Sequence, residues 1–469
     1  MRPRLLAEDA DFSFATPHDP VTADLITDLE LPILWEAMAG GDGRIRAVSS
    51  AVTLRPLTDP AAIAYRQDAL ADALHNPAAV RALYVLAREA VAEEEKVPRG
   101  VNSRSDGRLR RALRVLDVFC ARLRALAALA AAHRTAFASP AFTRLFRMIA
   151  ANLDDAYLRE VERMLVLLEF DGGIAATGGL GPGNRPTGFA LHEPPGARPE
   201  RRWRRAGTRH RASGENDEDW RALAGFRAAL LGGAADAATA SADAVRDFLA
   251  ALRDELAFYV GCVNLAEALA AHGLPLCRPE PRPPEDRALS ARGLYDPCLA
   301  LRLGGPVVGN DLAGDGVGLV LVTGANAGGK STFLRALGVA TLMAQAGMAV
   351  PAVSFAASPA DGVFTHFRRE EDGTLTRGRL ADELARMSAI ADRVRLGSLL
   401  LSNESLASTG EREASALAVD LLRAFTAHGV RTAVVTHLTT LATALRTTPF
   451  TPTLCLRTSP GYRLLPEPA

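Results

Sequence analysis

Leu109, Leu113, Leu116, Cys120 and Leu123 recur at alternating spacings of four and three, which places them on one stripe of a helix. That spacing predicts a single long helix over 108–135, and 140–170 continues in helical register. A second stripe of Val245, Leu249, Leu252, Leu256, Tyr259 and Val263 predicts another long helix over about 240–271. Between them, 171–218 is rich in Gly, Pro and Arg and has no apolar period, so it reads as a loop or tip. Two long helices joined by a loop pack as an antiparallel pair, an arm out and back. Residues 1–100 read as short helices, with breaks at Pro17, Gly40-Gly41, Pro60 and Pro77.

From about residue 290 the period changes. The runs VGLVLVTG (317–324), SLLLSNE (398–404) and RTAVVTH (431–437) are apolar and short, as buried strands are, and helical segments follow at 330–346 and 411–428. Strand–helix–strand alternation predicts a parallel sheet with ligands at the carboxyl ends of its strands. The expected layout is a helical core over 1–107, an arm over 108–275 with its tip at 171–218, a Pro-rich linker over 276–289, and an α/β domain over 290–469. Residues 336–360 carry no charge, but Gln345, Gly347 and Pro351 interrupt them, so they read as a buried helix plus a buried strand rather than a membrane span.

Composition narrows the class. Hydrophobic residues are 48% and aromatics 6%, with Ala and Leu abundant, which favours helices over β-sandwiches. Lys+Arg and Asp+Glu both number 54, so no global basic field draws in nucleic acid and any such contact must be local. The five cysteines contain no C-x-x-C pair, which argues against a disulfide framework or zinc site and suits a reducing cytoplasm. The N-terminus lacks the apolar run of a signal peptide.

The chemistry lies at the strand ends. Gly324, Gly329, Lys330 and Ser331 satisfy G-x-x-x-x-G-K-[ST] between a predicted strand and a predicted helix. Glycines let backbone N–H groups curl around phosphate, and the helix N-terminus adds positive potential. In that motif the lysine reaches the β- and γ-phosphates and the hydroxyl ligates Mg²⁺, so Gly324, Gly328, Gly329, Lys330, Ser331 and Thr332 are the expected ATP-binding residues. The run SLLLSNE ends as a Walker-B strand does, with Glu404 as candidate base and Asn403 where an Asp usually holds the metal shell. Ser331 and Asn403 are thus the expected Mg²⁺ residues, and the missing charge at Asn403 predicts weaker metal binding or slower hydrolysis. His437 ends the next strand, where it can meet the γ-phosphate or its water.

These segments resemble the MutS family, relatives of the ABC-type ATPases. The resemblance rests on TGANAGGKST followed by LMAQAGMAVPA, then NESLASTGEREASALA and VTHLTTLA. It implies a mostly α core and arm followed by an α/β P-loop ATPase domain of ABC type. It also implies that Asn326 lies near the phosphates, Glu404 activates water and His437 is a switch histidine. Thr409 and Glu413 keep family positions, whereas LTRGRL (375–380) lacks the serine of the family's trans-acting loop; Thr376 or the Gly378 backbone would substitute. LITDLELPILWEAMA, LRPLTDPAAIAYRQDALADAL (54–74) and LAFYVGCVNLAEAL resemble core and arm helices. With little sequence ahead of them, a short relative without the mismatch-reading domain is expected.

The resemblance implies an ATP-gated, cytoplasmic, homodimeric DNA clamp in repair or recombination. Arg198, Arg201, Arg202, Trp203, Arg204, Arg205, Arg209 and Arg211 would meet DNA backbone or branched DNA at the tip. Zero net charge and Asn403 leave two other readings: a nucleotide-dependent protein-interaction switch that does not act on DNA, and a pseudo-ATPase that binds without hydrolysis.

Overall fold

The computed structural model describes residues 1–15, 19–98, 105–169, 175–180, 186–192, 217–369, 379–406 and 410–467. Eight helices come first: α1 (Pro20–Asp28), α2 (Leu31–Ala39), α3 (Gly43–Thr53), α4 (Pro60–His75), α5 (Pro77–Lys96), α6 (Ser105–His133), α7 (Pro140–Asn152) and α8 (Asp155–Glu169). The predicted breaks stand at helix boundaries. Pro60 and Pro77 open α4 and α5, where a missing N–H costs nothing. Gly40 closes α2 at φ +54, in the left-handed region. Pro17 lies outside the described residues.

The chain divides into two compact units. The first comprises Met1–Pro3, Arg81–Thr135 and Arg144–Arg253. In it the predicted stripe of α6 is the buried face: Leu109, Leu113, Leu116, Cys120 and Leu123 all lie in the core. Arg124 Nη1 reaches Glu162 Oε1 of α8 at 2.7 Å on the exposed side. The expectation for 171–218 requires correction. Two strands, β1 (Ala175–Leu180) and β2 (Pro186–His192), pair antiparallel there, with Ala175 opposite His192. Their glycines interrupt any alternation of apolar and polar positions, which hides them from a period count. The remainder of 171–218 up to Glu215 and Asn216, with every tip arginine, lies outside the described residues. Helix α9 (Asp217–Ala270) starts well before the predicted position near 240. Its alanine-rich composition carries it through Gly232 and Gly233, each of which costs about 1 kcal/mol relative to alanine.

The second unit comprises Arg4–Val80, Ala136–Thr143 and Asp254–Ala469. Its sheet-forming part runs β3 (Glu280–Pro281), β4 (Leu289–Leu294), α10 (Pro297–Leu303), β5 (Asn310–Ala313), β6 (Leu319–Thr323), α11 (Lys330–Gln345), β7 (Ser354–Ala357), β8 (Val363–Phe367), α12 (Arg379–Ala391), β9 (Leu399–Asn403), α13 (Glu411–Ala427), β10 (Arg431–Val435), α14 (Thr439–Thr447), β11 (Thr453–Ser459) and β12 (Arg463–Pro466). A six-stranded sheet takes the order β12-β11-β6-β10-β9-β8, parallel throughout except for β12. β6, β9 and β10 are buried along nearly their whole length, as strands covered on both faces are.

A second sheet, β3-β7-β4-β5, is mostly antiparallel and was not predicted. It draws in the Pro-rich stretch expected to be a linker. Within 276–289, β3 pairs with β7, and Cys277 exchanges both backbone hydrogen bonds with Val350, at 3.0 and 2.9 Å. Residues 336–360 contain the rest of α11, with its buried faces, and β7. Among the described residues, no helix is long and apolar enough to cross a membrane, and all five cysteines are free thiols.

Two buried charges hold the helical layer. Arg66 of α4 has no exposed surface; its Nε donates to Leu6 O at 3.0 Å and its Nη1 to Ala346 O at 3.1 Å, just past the end of α11. Glu255 of α9 is also buried, and its Oε2 accepts from Leu5 N and from Leu6 N. Burial raises the Glu255 carboxyl from 4.5 to about 7, against the two N–H donors, which favour the anion.

A folded-state pKa above the unfolded value means stability that is full below 4.5 and lost as pH rises through about 7. Glu255→Gln keeps an acceptor for both N–H groups and removes the charge. In urea titrations it should match the parent at pH 5 and exceed it at pH 8 by on the order of 1–3 kcal/mol. An equal difference at both pH values would contradict this.

Candidate functional site

β6 ends at Thr323, and the chain turns through Gly324–Gly329 before α11 begins at Lys330. The turn is tight against β11. A Cβ on Gly324 would lie 2.0 Å from Thr458 Oγ1, and its φ of +123 is open only to glycine. Gly329, at φ +86, sets the entry into α11. Lys330 is almost fully buried, and its Nζ donates to Gly324 O and Ala325 O, each at 2.9 Å. The loop therefore wraps its own carbonyls around an ammonium group at the N-terminus of a helix.

The neighbouring strand ends meet this loop. Ser331 Oγ donates to Asn403 Oδ1 at 3.0 Å. Glu404 follows β9 in a left-handed conformation, φ +53, and its N–H donates to Val435 O at 2.9 Å. Its carboxylate stands between Arg368 Nη1, 3.8 Å from Oε2, and His437 Nδ1, 3.7 Å from Oε1. Both separations exceed hydrogen-bond length and leave the carboxylate oxygens approachable. Thr436 Oγ1 accepts from Leu438 N at 3.0 Å, which turns the chain after β10 and leaves His437 exposed.

A cavity of about 580 Å³ opens beside the loop. Asn326, Gly328, Gly329, Lys330, Ser331, Thr332 and Glu404 line it together, so most of the predicted site residues share one space. Gly324 contributes through its carbonyl on Lys330, Asn403 stands behind Ser331, and His437 lies beside Glu404; none of these three is a lining residue. Thr409, Thr376 and Gly378 lie outside the described residues.

The rest of the lining was not predicted. It includes Tyr295, Leu299, Asn310 and Tyr462. Asn310 donates to Tyr462 O at 3.1 Å and accepts from Leu464 N at 2.7 Å, so it fixes the β11–β12 turn over the loop. No period or motif marks these positions. Arg335 did carry a signal, being a charge inside an otherwise apolar helix. Its Nε donates to the buried Asp296 Oδ2 at 2.9 Å and its Nη1 to Glu30 Oε1 at 2.7 Å.

The residues fit a nucleotide and a hard cation. The volume lies within the usual range for small-ligand sites, roughly 300–1,000 Å³, with a buried cation and a helix N-terminus at one end. The 3.0 Å between Ser331 Oγ and Asn403 Oδ1 is about that of adjacent ligands on octahedral Mg²⁺. Among the described residues, no group of three or more His, Cys, Asp and Glu is placed to hold a metal.

A family model described as the MutS2 N-terminal domain matches residues 58–272, and one described as MutS domain V matches 320–457. The DNA mismatch repair protein MutS of Chloroflexus aurantiacus is 30% identical over 217 residues, covering 43% of this chain and 22% of that protein. The Endonuclease MutS2 of Carboxydothermus hydrogenoformans is 30% identical over 185 residues, 39% of this chain and 23% of that protein. The Endonuclease MutS2 of Finegoldia magna is 31% identical over 125 residues, 26% and 16% respectively. The chain thus spans less than a quarter of the length of these curated relatives. The two domain matches and these relatives, with the glycine-rich loop and strand-end residues inside the second match, agree: the chain belongs to the MutS family.

Proposed function

We propose that this chain binds and hydrolyses ATP with Mg²⁺ at the cavity beside the glycine-rich loop and the end of β9, and uses that cycle to control a grip on DNA. The observation that carries the ATP reading is the convergence of Lys330 and Ser331, at the start of α11, with Glu404, just after β9, on one cavity. In this reading Lys330 and the α11 N-terminus face the β- and γ-phosphates, and Asn326 flanks them. Mg²⁺ supplies charge neutralisation and would be held by Ser331, with the Asn403 amide oxygen beside it. Glu404 accepts a proton from the attacking water, and His437 stands where it can orient that water. Asn403 brings no charge, so metal affinity or turnover is low for the fold type.

Glu404 is only partly buried and His437 is exposed, so this face of the site is open to water. A second copy closing over it would dry the γ-phosphate, which is the case for a homodimer as the working unit. DNA as the partner rests on family membership and on names such as mismatch repair protein MutS and Endonuclease MutS2, printed for relatives. The proposed contacts are Arg201, Arg202, Arg204 and Arg205, gripping backbone or branched DNA.

Lys330→Ala should lower ATP affinity at least tenfold, about 1.4 kcal/mol, in equilibrium titration. A folded variant with unchanged affinity would sink the nucleotide site.

Glu404→Gln should keep ATP binding and slow steady-state turnover by ~10²–10⁴-fold, while raising the dimer fraction in light scattering with ATP. Turnover within about twofold of the parent would move water activation to another residue.

DNA affinity should fall with salt at a log–log slope of ~0.9 per phosphate neutralised, and should differ little between matched and mispaired duplex. Replacing Arg201, Arg202, Arg204 and Arg205 with Ala should flatten that slope with ATPase intact. Absence of DNA binding by the parent at low salt, in every nucleotide state, would favour a nucleotide-dependent protein-interaction switch instead.

A further inference from the structure

Ser405, next to Glu404, is tied into the core by a histidine that no motif marks. β8 and β9 pair in parallel with His366 opposite Ser402, and His366 has no exposed surface. Its Nδ1 lies 2.7 Å from Ser405 Oγ and its Nε2 lies 3.0 Å from Glu383 O of α12. Ser405 Oγ is also 2.7 Å from His366 O and 2.7 Å from Ser402 Oγ. Ser405 is thus held from three directions by its hydroxyl alone.

The proton count sets the direction of this chain. A carbonyl only accepts, so Nε2 carries a hydrogen and donates it to Glu383 O. Burial, with the nearby Arg386 charge, lowers the His366 pKa to about 4, so the ring is neutral with a single N–H. Nδ1 is then bare and accepts from the Ser405 hydroxyl. His366 O competes for that same hydrogen, while Ser402 Oγ donates into Ser405 Oγ.

Backbone strain explains why such an anchor is needed. Glu404 at φ +53 and Leu406 at φ +62 are both left-handed non-glycine residues, and Ser405 lies between them. Each is a strained conformation that persists only where its surroundings hold it. We propose that His366, through Ser405, is the positioning residue that holds this turn and so aims the Glu404 carboxylate into the cavity. The proposal rests on the reading of Glu404 as the base, and it assigns His366 no contact with substrate.

The test uses the full chain and four variants: Ser405→Ala, His366→Gln, His366→Asn, and Ser405→Ala combined with His366→Gln. Each is measured for kcat, for equilibrium affinity of a non-hydrolysable ATP analogue, and for thermal midpoint. An asparagine Oδ1 can stand in for Nδ1 towards Ser405, whereas glutamine better mimics Nε2. Ser405→Ala and His366→Gln should each lower kcat at least ~10-fold with analogue affinity within about twofold, because small misplacement of a catalytic group is costly. His366→Asn should recover most of the loss, and the double variant should fall no further than the worse single, as residues acting through one contact do. Unchanged kcat in Ser405→Ala while the parent turns over ATP would overturn the positioning role alone, as would losses that add or that follow the thermal midpoint. A parent that binds the analogue but hydrolyses no ATP, or binds no analogue, would remove the ATPase reading and this role with it.

Discussion

The guanidinium of Arg66 fixes where α11 stops, and the site depends on that. It leaves α4 with no exposed atom, binds Ala346 O at the carboxyl end of α11, and packs its face 5.6 Å from the ring of Phe12 and 6.0 Å from that of Phe258. A cation at a helix C-terminus is favoured by the helix dipole, and the aromatic faces offset part of its lost hydration. The next residue must be glycine on two counts: Gly347 has φ +78, and a Cβ there would sit 2.7 Å from Arg66 Cβ. Arg335, five residues after Lys330, ties the N-terminal half of the helix to Asp296 and Glu30. With both halves held, α11 cannot slide along its axis, and the loop that leads into it keeps its position against β9.

What could be read from the chain followed sequence distance. Lys330 and Ser331 were legible because the motif is local and the strand and helix around it are short-range patterns. Glu404 and His437 were legible because each ends a continuously apolar strand. The β3-β7-β4-β5 sheet was not, since its strands are two to six residues long and pair across 280–357. Tyr462 and Asn310 were missed for the same reason: they meet over the loop from positions far apart in sequence. His366 looked like any apolar-strand residue, because its role comes from a hydroxyl on the neighbouring strand's turn.

The two family matches leave 273–319 between them, and that interval supplies much of the cavity's lining. Tyr295, Leu299 and Asn310 all come from it, as does Asp296, the partner of Arg335.

Lys330 also bears on selectivity of a different kind. Its ammonium already carries two carbonyl hydrogen bonds and is largely buried, so much of the cost of removing that charge from water is met during folding. An arriving ligand group must outcompete two neutral oxygens for protons that are already engaged. A neutral acceptor would exchange like for like and gain almost nothing, whereas a multiply charged oxyanion gains Coulomb energy that the carbonyls cannot match. In the proposed ATP site, the loop would thus filter by charge density before shape is consulted.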